Sequence, residues 1–272
     1  MGGATVSVPW AAASPGVSSI VQLWYPGEEG GSALADILFG DANPSGRMSE
    51  TVFVGLEQLP KDYLSVTMSD APGRTHRYLS TAPLYAFGFG MSYTARAYSG
   101  LTVSNGATLS SSNAAAKVTV RATVACVDGP AGDEVVQLYS ALRTTAPNAG
   151  KRSVPLRELK AFTRVSLAGC GKVRVFYSLP HIFARKIRRA PPYHFILSLQ
   201  AHGNTGAAPT TANVTFEITA ADLALVDTDG TMRAIVGTYD LYVGGTGPPP
   251  YGVSVNASAI PAPLTATLTV TK

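Results

Sequence analysis

The residues best suited to do chemistry lie in the stretch Ser69–Tyr78, which reads SDAPGRTHRY. Arg74 and Arg77 stand out, because a guanidinium presents several hydrogen-bond donors in a fixed fork and can hold a ligand. The same arginines could instead pair with acids across a loop interface. The candidate acids are Glu57, Asp62 and Asp70. The sequence favours this structural pairing, which is the commoner fate of arginine on a Gly- and Pro-rich loop.

Side chains for other kinds of catalysis form no recognisable pattern. The four histidines, at 76, 181, 194 and 202, show no metal-ligand spacing. There is no GxSxG nucleophile elbow, no phosphate-binding loop and no HExxH helix. Gly88-Phe89-Gly90 lacks a preceding buried strand and a following helix, so we interpret it as a turn. We therefore predict no metal site and no cofactor.

A strand–turn–helix unit precedes this stretch. The apolar run Ile20–Tyr25 predicts a strand that stops at a Pro-Gly pair, and Ser32–Phe39 predicts a helix closed by a glycine. Glu28 and Glu29 fall where backbone N–H groups are unpaired and the helix dipole favours a carboxylate. We interpret them as helix-entry residues. A second strand is predicted at Met48–Val54.

Four motifs in order carry a family resemblance. They read YPGEEGGSALADILFGDANPSGRM at 25–48, QLP at 58–60, PGRTHRY at 72–78 and PLYAFGFGMSYT at 83–94. Their wording and spacing resemble glycoside hydrolase family 3, and within it the β-xylosidases and β-glucosidases. The resemblance covers nearly the whole chain. It implies a C-terminal fragment, made of the end of the α/β sandwich domain and a fibronectin type III-like domain.

The resemblance also implies an activity for the full-length enzyme. Family members are exo-acting, retaining β-glycosidases with a pair of carboxyl groups. Their aspartate nucleophile lies in an N-terminal barrel, and their acid usually lies upstream of the Tyr-Pro-Gly motif. We therefore expect no catalytic residue in this chain and interpret Asp70 as a loop residue. Arg74 and Arg77 remain candidates for substrate binding, and His76 replaces the family's more usual tyrosine.

The chain of 272 residues predicts two domains. Residues 1–95 resemble the C-terminal part of the α/β sandwich domain, which one helix and a few strands cannot complete alone. Residues 96–272 alternate apolar and polar residues in short runs separated by turns. These runs are typical of an antiparallel fibronectin type III-like β-sandwich. We thus predict a mainly β fold in which this sandwich follows an incomplete α/β segment.

An atypical basic insertion interrupts the predicted sandwich at about 170–206. It carries six basic residues and no acid, and without them the chain would hold 15 basic and 17 acidic residues, a net charge of −2 instead of +4. A nucleic-acid or membrane-surface patch is one interpretation. Prolines and the lack of a sustained period argue against it. Two other interpretations of the insertion are a surface loop and translated non-coding sequence. We favour the second.

Two further sequence features bear on the cellular compartment. Cys126 and Cys170 lie in no CxxC or Cys/His cluster, so we expect unpaired thiols, with a single bridge as the alternative. Asn213 and Asn256 begin the sequons NVT and NAS and are candidates for glycosylation. The residues after Met1 do not form a signal peptide. The resemblance nevertheless implies a secreted full-length enzyme.

Two classes of function follow. In the first, the chain is the C-terminal portion of a β-xylosidase-type enzyme that degrades xylan and is inactive alone. Its partners are then a β-linked oligosaccharide and, within the same polypeptide, the missing N-terminal barrel domain; nucleic acid and membrane are not expected. In the second, it is a stand-alone accessory module that binds carbohydrate or protein through the sandwich. The candidate aromatics are Tyr239, Tyr242 and Tyr251.

Overall fold

The structure is a computed structural model. It describes residues 3–113, 115–143, 154–170, 208–226, 229–248 and 261–272. The predicted insertion after Cys170 lies outside the described residues, as do Asn256 and Tyr251. The helices are α1 (Pro9–Ala13), α2 (Gly30–Phe39) and α3 (Thr75–Tyr78). The strands are β1 (Ala95–Val103), β2 (Thr108–Ser110), β3 (Lys117–Asp128), β4 (Gly132–Leu142), β5 (Glu158–Leu167), β6 (Thr211–Thr219), β7 (Ala224–Val226), β8 (Met232–Ala234), β9 (Gly237–Gly244) and β10 (Leu264–Thr271).

Two sheets form the β-sandwich that the sequence predicted. One has the strand order β1-β3-β6 and the other the order β2-β10-β9-β4-β5, while β7 and β8 form a separate two-stranded ribbon. All pairings are antiparallel except that of β2 with β10, which is parallel. The mainly β, sandwich-type fold is therefore confirmed.

Period-two alternation explains how the core is built. In β3, Val118, Val120, Ala122 and Val124 are buried while the residues between them face outward. The strand β6 repeats the pattern, and the inward side chains of both sheets form one apolar cluster. Removing this apolar surface from water stabilises the fold by roughly 25 cal/mol per Å² buried.

The strand β4 departs from this alternation because both of its faces are buried. Val136 and Leu138 point into the core, and Gln137 and Tyr139 are buried on the opposite face. Residues before β1 form the covering layer. The side chain of Gln137 donates to the carbonyl oxygen of Gly88 at 3.0 Å. The N-terminal third of the chain thus packs against the outer face of the five-stranded sheet. This contact region, which includes Gly88 and Gln137, is called the seat below.

Two strand predictions in the N-terminal third are wrong. Residues 20–25 form no strand beyond an isolated bridge at Trp24, and Met48–Val54 contributes only the bridge between Val52 and Tyr85. A strand exists only where a neighbour supplies hydrogen bonds, and no described strand lies beside either run. The helix prediction is confirmed, since α2 ends at Gly40 in the left-handed conformation with φ of 86°.

Cys126 and Cys170 form a disulfide with a Cα–Cα distance of 5.9 Å. The expectation of unpaired thiols is therefore wrong. The two cysteines meet because Gly129 and Cys170 exchange backbone hydrogen bonds of 2.8 and 3.0 Å just beyond the strand ends. Cys126 lies in β3 and Cys170 follows β5, so the bridge joins the two sheets. Cys170 thus has a structural partner outside the predicted insertion.

Within the described ranges, no helix combines the length and the apolar character needed to cross a membrane.

Candidate functional site

The residues from Ser69 to Tyr78, called the arginine loop below, turn sharply into α3. Gly73 has φ of 94°, and a Cβ there would overlap the carbonyl oxygen of Tyr78. Only glycine fits this position without strain. The turn is closed by a 2.8 Å hydrogen bond from the Arg74 amide to the Met68 carbonyl. As a result, Arg74 contacts the N-terminal third of the chain, whereas Arg77 contacts the sandwich.

Arg74 stays within the N-terminal third of the chain. Its Nη2 donates to the carbonyl oxygen of Tyr63 at 2.8 Å, and its guanidinium lies 5.6 Å from the Tyr63 ring centroid. A weaker contact of 3.4 Å reaches the carbonyl oxygen of Asp62. The expected partner Asp62 is thus present, but through its backbone rather than its carboxylate. Arg74 therefore holds the segment around Asp62 and Tyr63 against the arginine loop.

Arg77 crosses to the sandwich. Its Nη2 donates to Glu158 Oε1, and Lys160 Nζ donates to the other oxygen of the same carboxylate at 2.8 Å. The Arg77 carbonyl oxygen accepts a 2.7 Å hydrogen bond from the Leu156 amide. The sequence correctly favoured an ion pair for this arginine but missed Glu158, which lies 81 residues away. A role of Arg74 or Arg77 in substrate binding stays a prediction.

His76 lies between the two arginines and points into the seat of the loop. Its ring stacks on Phe87 with centroids 4.1 Å apart and meets Tyr139 edge-on at 6.4 Å. The pKa of His76 is lowered to about 4, chiefly because burial disfavours the charged ring. The charges of Arg157 and Arg77 act in the same direction, and Glu158 acts in the opposite direction with the smallest effect. His76 is therefore neutral at pH 7 and serves as a packing residue.

The seat beneath the loop is tightly filled. A cavity of about 10 Å³ remains there, lined among others by Thr51, His76, Tyr139 and Arg157. This is room for about one water molecule and not for a sugar ring. A wider groove of about 560 Å³ lies beside β8, lined mainly by alanines. Neither space presents the pair of carboxyl groups that glycoside hydrolysis requires.

Several carboxylates of the described part make structural contacts. Asp70, the one candidate nucleophile considered, accepts a 2.5 Å hydrogen bond from Ser65 Oγ. Other carboxylates pair with cations of the sandwich: Asp133 with Arg164, Glu217 with Lys117, Asp229 with Arg233 and Asp240 with Arg143. Within the described ranges, no group of three or more His, Cys, Asp or Glu side chains is placed to hold a metal ion.

A second contact joins the N-terminal third to the sandwich through Glu134. Its carboxylate accepts from Arg47 Nη2 at 2.9 Å and from the Tyr98 hydroxyl at 2.6 Å, and Arg96 Nε lies 3.7 Å away. Glu134, Arg47 and Arg96 are all nearly fully buried. Burial also raises the pKa of Tyr98 far above its usual value, reinforced by the Glu134 charge. Tyr98 therefore remains a neutral donor.

Sequence reasoning did not single out Glu134 as a contact residue. The run EVVQLY predicted a strand, and period-two alternation places Glu134 and Gln137 on opposite faces of it. Its neighbour Gln137 donates to Gly88 and also to the Gly245 carbonyl at 3.0 Å. The available signal was a polar side chain on each face of an otherwise apolar strand.

The tyrosines proposed for carbohydrate binding are not equivalent. Tyr239 is buried, and its hydroxyl donates to the Ile235 carbonyl at 2.9 Å. Tyr242 is half-buried, and Tyr251 lies outside the described residues. Tyr239 is thus a core residue that no ligand can reach.

Parts of the chain are similar in sequence to known proteins. Residues 1–93 match the model of the glycosyl hydrolase family 3 C-terminal domain. A xylan 1,4-beta-xylosidase of Xylanibacter ruminicola is 39% identical over 150 residues, covering 55% of this chain and 15% of that protein. A beta-glucosidase of Rhizobium radiobacter is 33% identical over 181 residues, covering 61% and 20%. The chain thus matches only a fifth or less of the length of these relatives.

Solved structures share the fold. A β-glucosidase from Erythrobacter marinus superposes with a TM-score of 0.58 at 25% identity, covering 92% of this chain and 25% of that one. A beta-D-glucoside glucohydrolase from Trichoderma reesei gives a TM-score of 0.59 at 22% identity, covering 91% and 30%.

The fold and contacts define a mainly β class of protein, in which a β-sandwich carries the residues before β1 on the outer face of its five-stranded sheet. More particularly, residues 1–93 match the glycosyl hydrolase family 3 C-terminal domain, and the chain is similar to part of a xylan 1,4-beta-xylosidase and part of a beta-glucosidase.

Proposed function

We propose that this chain supplies the C-terminal portion of an exo-acting, retaining β-glycosidase of the β-xylosidase type, which hydrolyses O-glycosyl bonds in xylan-derived oligosaccharides. Both the family match over residues 1–93 and the likeness to a xylan 1,4-beta-xylosidase support this activity for the full-length enzyme. Alone, the chain is inactive, because the acid and the nucleophile that retention needs are contributed from elsewhere in the enzyme.

The observation that carries the proposal is the packing of the described residues before β1 on the sandwich. Arg77 with Glu158, Arg47 with Glu134 and Gln137 with Gly88 fix the two parts against each other. Such specific contacts are consistent with a sandwich that stabilises the domain packed against it in the full-length enzyme. The bound β-linked oligosaccharide and an N-terminal barrel domain of the same polypeptide are the partners that this function requires.

Purified chain tests the inactivity directly. We expect no turnover of an aryl β-xyloside or an aryl β-glucoside above the rate in buffer, measured by release of the aryl group. Turnover that disappears when a single carboxylate of this chain is replaced by its amide would overturn the proposal, because it would place a catalytic group here.

The alternative is a stand-alone accessory module that binds carbohydrate through the sandwich. The burial of Tyr239 removes one of its three candidate aromatics. Retardation of the chain in gels containing soluble xylan or hydroxyethyl cellulose would favour the module, with Tyr242→Ala as the variant that abolishes retardation. Migration unchanged by polysaccharide favours the enzyme portion.

We also propose that the full-length enzyme is secreted. The bridge between Cys126 and Cys170 supports this destination, because structural disulfides persist mainly in oxidising compartments. Mapping this disulfide in protein secreted by the source cells, and its absence in cytosolic extract, is the corresponding measurement.

A further inference from the structure

Asn213 stands on the outward face of the edge strand β6. Its neighbours in the chain, Val214 and Phe216, are buried in the core, whereas Asn213 and Thr215 are exposed. Among the described strands, β6 pairs only with β3, where Asn213 lies opposite Thr123. The whole sequon NVT is therefore held in an extended conformation, with its two polar members on the same solvent-facing side.

The hydrogen bonding of Asn213 leaves one amide atom available. The Thr123 hydroxyl donates to Asn213 Oδ1 at 2.8 Å. This contact fixes the side-chain amide and assigns the oxygen to the protein. The nitrogen Nδ2, which is the atom that carries an N-linked glycan, donates no side-chain hydrogen bond within the described chain. A substituent on Nδ2 would extend outward without breaking the Thr123 hydrogen bond.

The surface around Asn213 suits a hydrated carbohydrate. Thr215 lies opposite Arg121, and Lys117 Nζ pairs with Glu217 Oε1 at 2.8 Å on the same face. Both members of that ion pair are about half exposed. A sugar chain over this polar face would bury no apolar surface and displace no packed side chain. It would also shield β6, because exposed strand edges invite pairing with other chains.

A separate observation places the chain where this modification occurs. A disulfide such as that between Cys126 and Cys170 persists mainly in oxidising compartments, and N-glycosylation takes place in the same secretory route. The geometry points to Asn213 as an N-glycosylation site of this protein, occupied by an oligosaccharide. This assignment rests on the proposed secretion but not on the proposed hydrolase function.

The chemistry is a group transfer from a lipid diphosphate-linked oligosaccharide. Asn213 Nδ2 attacks the anomeric carbon of the first sugar, forming the C–N bond. The bond from that carbon to the diphosphate oxygen breaks, and the lipid diphosphate leaves with the electron pair. One proton of the amide passes to a base of the transferase. The transfer precedes folding, so the folded structure needs only room for the product.

Translation of the full chain behind a secretion leader, in the presence of microsomes, tests the site. Chains protected from added protease are compared before and after removal of N-glycans by an endoglycosidase. The variant Asn256→Gln removes the other sequon and should retain one glycan-sized shift. Thr215→Ala in that background should lose the shift while keeping Asn213 itself, and the matched Thr215→Ser should keep it.

Two results would overturn the assignment. One is a protease-protected Asn256→Gln chain that shows no shift. The other is a shift that survives Thr215→Ala and therefore arises elsewhere. Because acceptance depends on the sequon rather than on folding, a variant that fails to fold still reports on the site.

Discussion

Glu134 carries one negative charge between the guanidiniums of Arg47 and Arg96, in a region closed to solvent. The pair with Arg47 links residues before β1 to β4. Replacing only one partner of a buried ion pair leaves the other charge without compensation, which typically costs about 3–5 kcal/mol. Glu134 thus makes a large contribution to the packing of the residues before β1 on the sandwich.

We expect Glu134→Gln to lower the free energy of unfolding by about 3–5 kcal/mol, because two buried cations lose their counter-charge. The matched control is Glu217→Gln, which breaks the exposed pair with Lys117 and should cost at most about 1 kcal/mol. Urea unfolding followed by tryptophan fluorescence and far-ultraviolet circular dichroism measures both. Equal effects of the two substitutions would contradict the account of the seat.

His76 predicts a pH dependence of stability. Its pKa is about 4 in the folded chain, against about 6.5 for an unfolded histidine, so the unfolded chain binds more protons between these values. The stability from neutral His76 is fully present above about pH 6.5 and is lost as the pH falls toward 4. We expect His76→Phe, which keeps the stack on Phe87, to flatten this fall in unfolding free energy. Parallel pH profiles for the two proteins would show that His76 does not titrate in the seat.

Two strands illustrate at the element scale what the sequence could predict. The alternation in β3 and β6 encodes the sandwich directly, because every second side chain reaches a buried face. The run Ile20–Tyr25 reads equally well as a strand yet forms none. Apolar β-branched residues indicate a preference for burial. A strand also needs a neighbouring strand that supplies hydrogen bonds, and the sequence of the run does not say whether such a strand is present.

The candidate site was predictable only in its local part. Arg74 and Arg77 were identified from their loop, and the preference for structural contacts was right for Arg77. Its partner Glu158 could not be identified, because the register that joins them depends on the packing of the whole sandwich. The same holds for Cys126 and Cys170, which are 44 residues apart and pair only after the sheets meet.

The disulfide supports a prediction about the link between the two sheets. A covalent bridge removes conformations from the unfolded chain, and a native bridge typically contributes about 2–4 kcal/mol. We expect the double variant Cys126→Ser and Cys170→Ser to lose about this much unfolding free energy, measured in urea. Reducing agent should bring the wild-type chain to the stability of the double variant and leave the variant unchanged. No response of the wild-type chain to reduction would contradict the bridge.

At the scale of the whole molecule, apolar surface is distributed unevenly. Thirteen of the eighteen exposed large apolar residues within the described ranges precede β1, with Leu64 at 87% and Val66 at 93% exposure among them. Only four of the twenty-five buried apolar residues lie there. The sandwich encloses its own core, whereas the preceding residues present apolar surface of the kind that marks an interaction site. This imbalance fits a proposed role as part of a larger enzyme.

A hybrid enzyme tests that role most directly. In it, this chain replaces the matching residues of the Xylanibacter ruminicola xylan 1,4-beta-xylosidase, and hydrolysis of an aryl β-xyloside is measured beside the same enzyme lacking those residues. The account predicts that the hybrid turns over substrate while the truncated enzyme and the isolated chain do not. A hybrid that folds to a monodisperse protein with the thermal stability of its parent, yet shows no turnover, would contradict it.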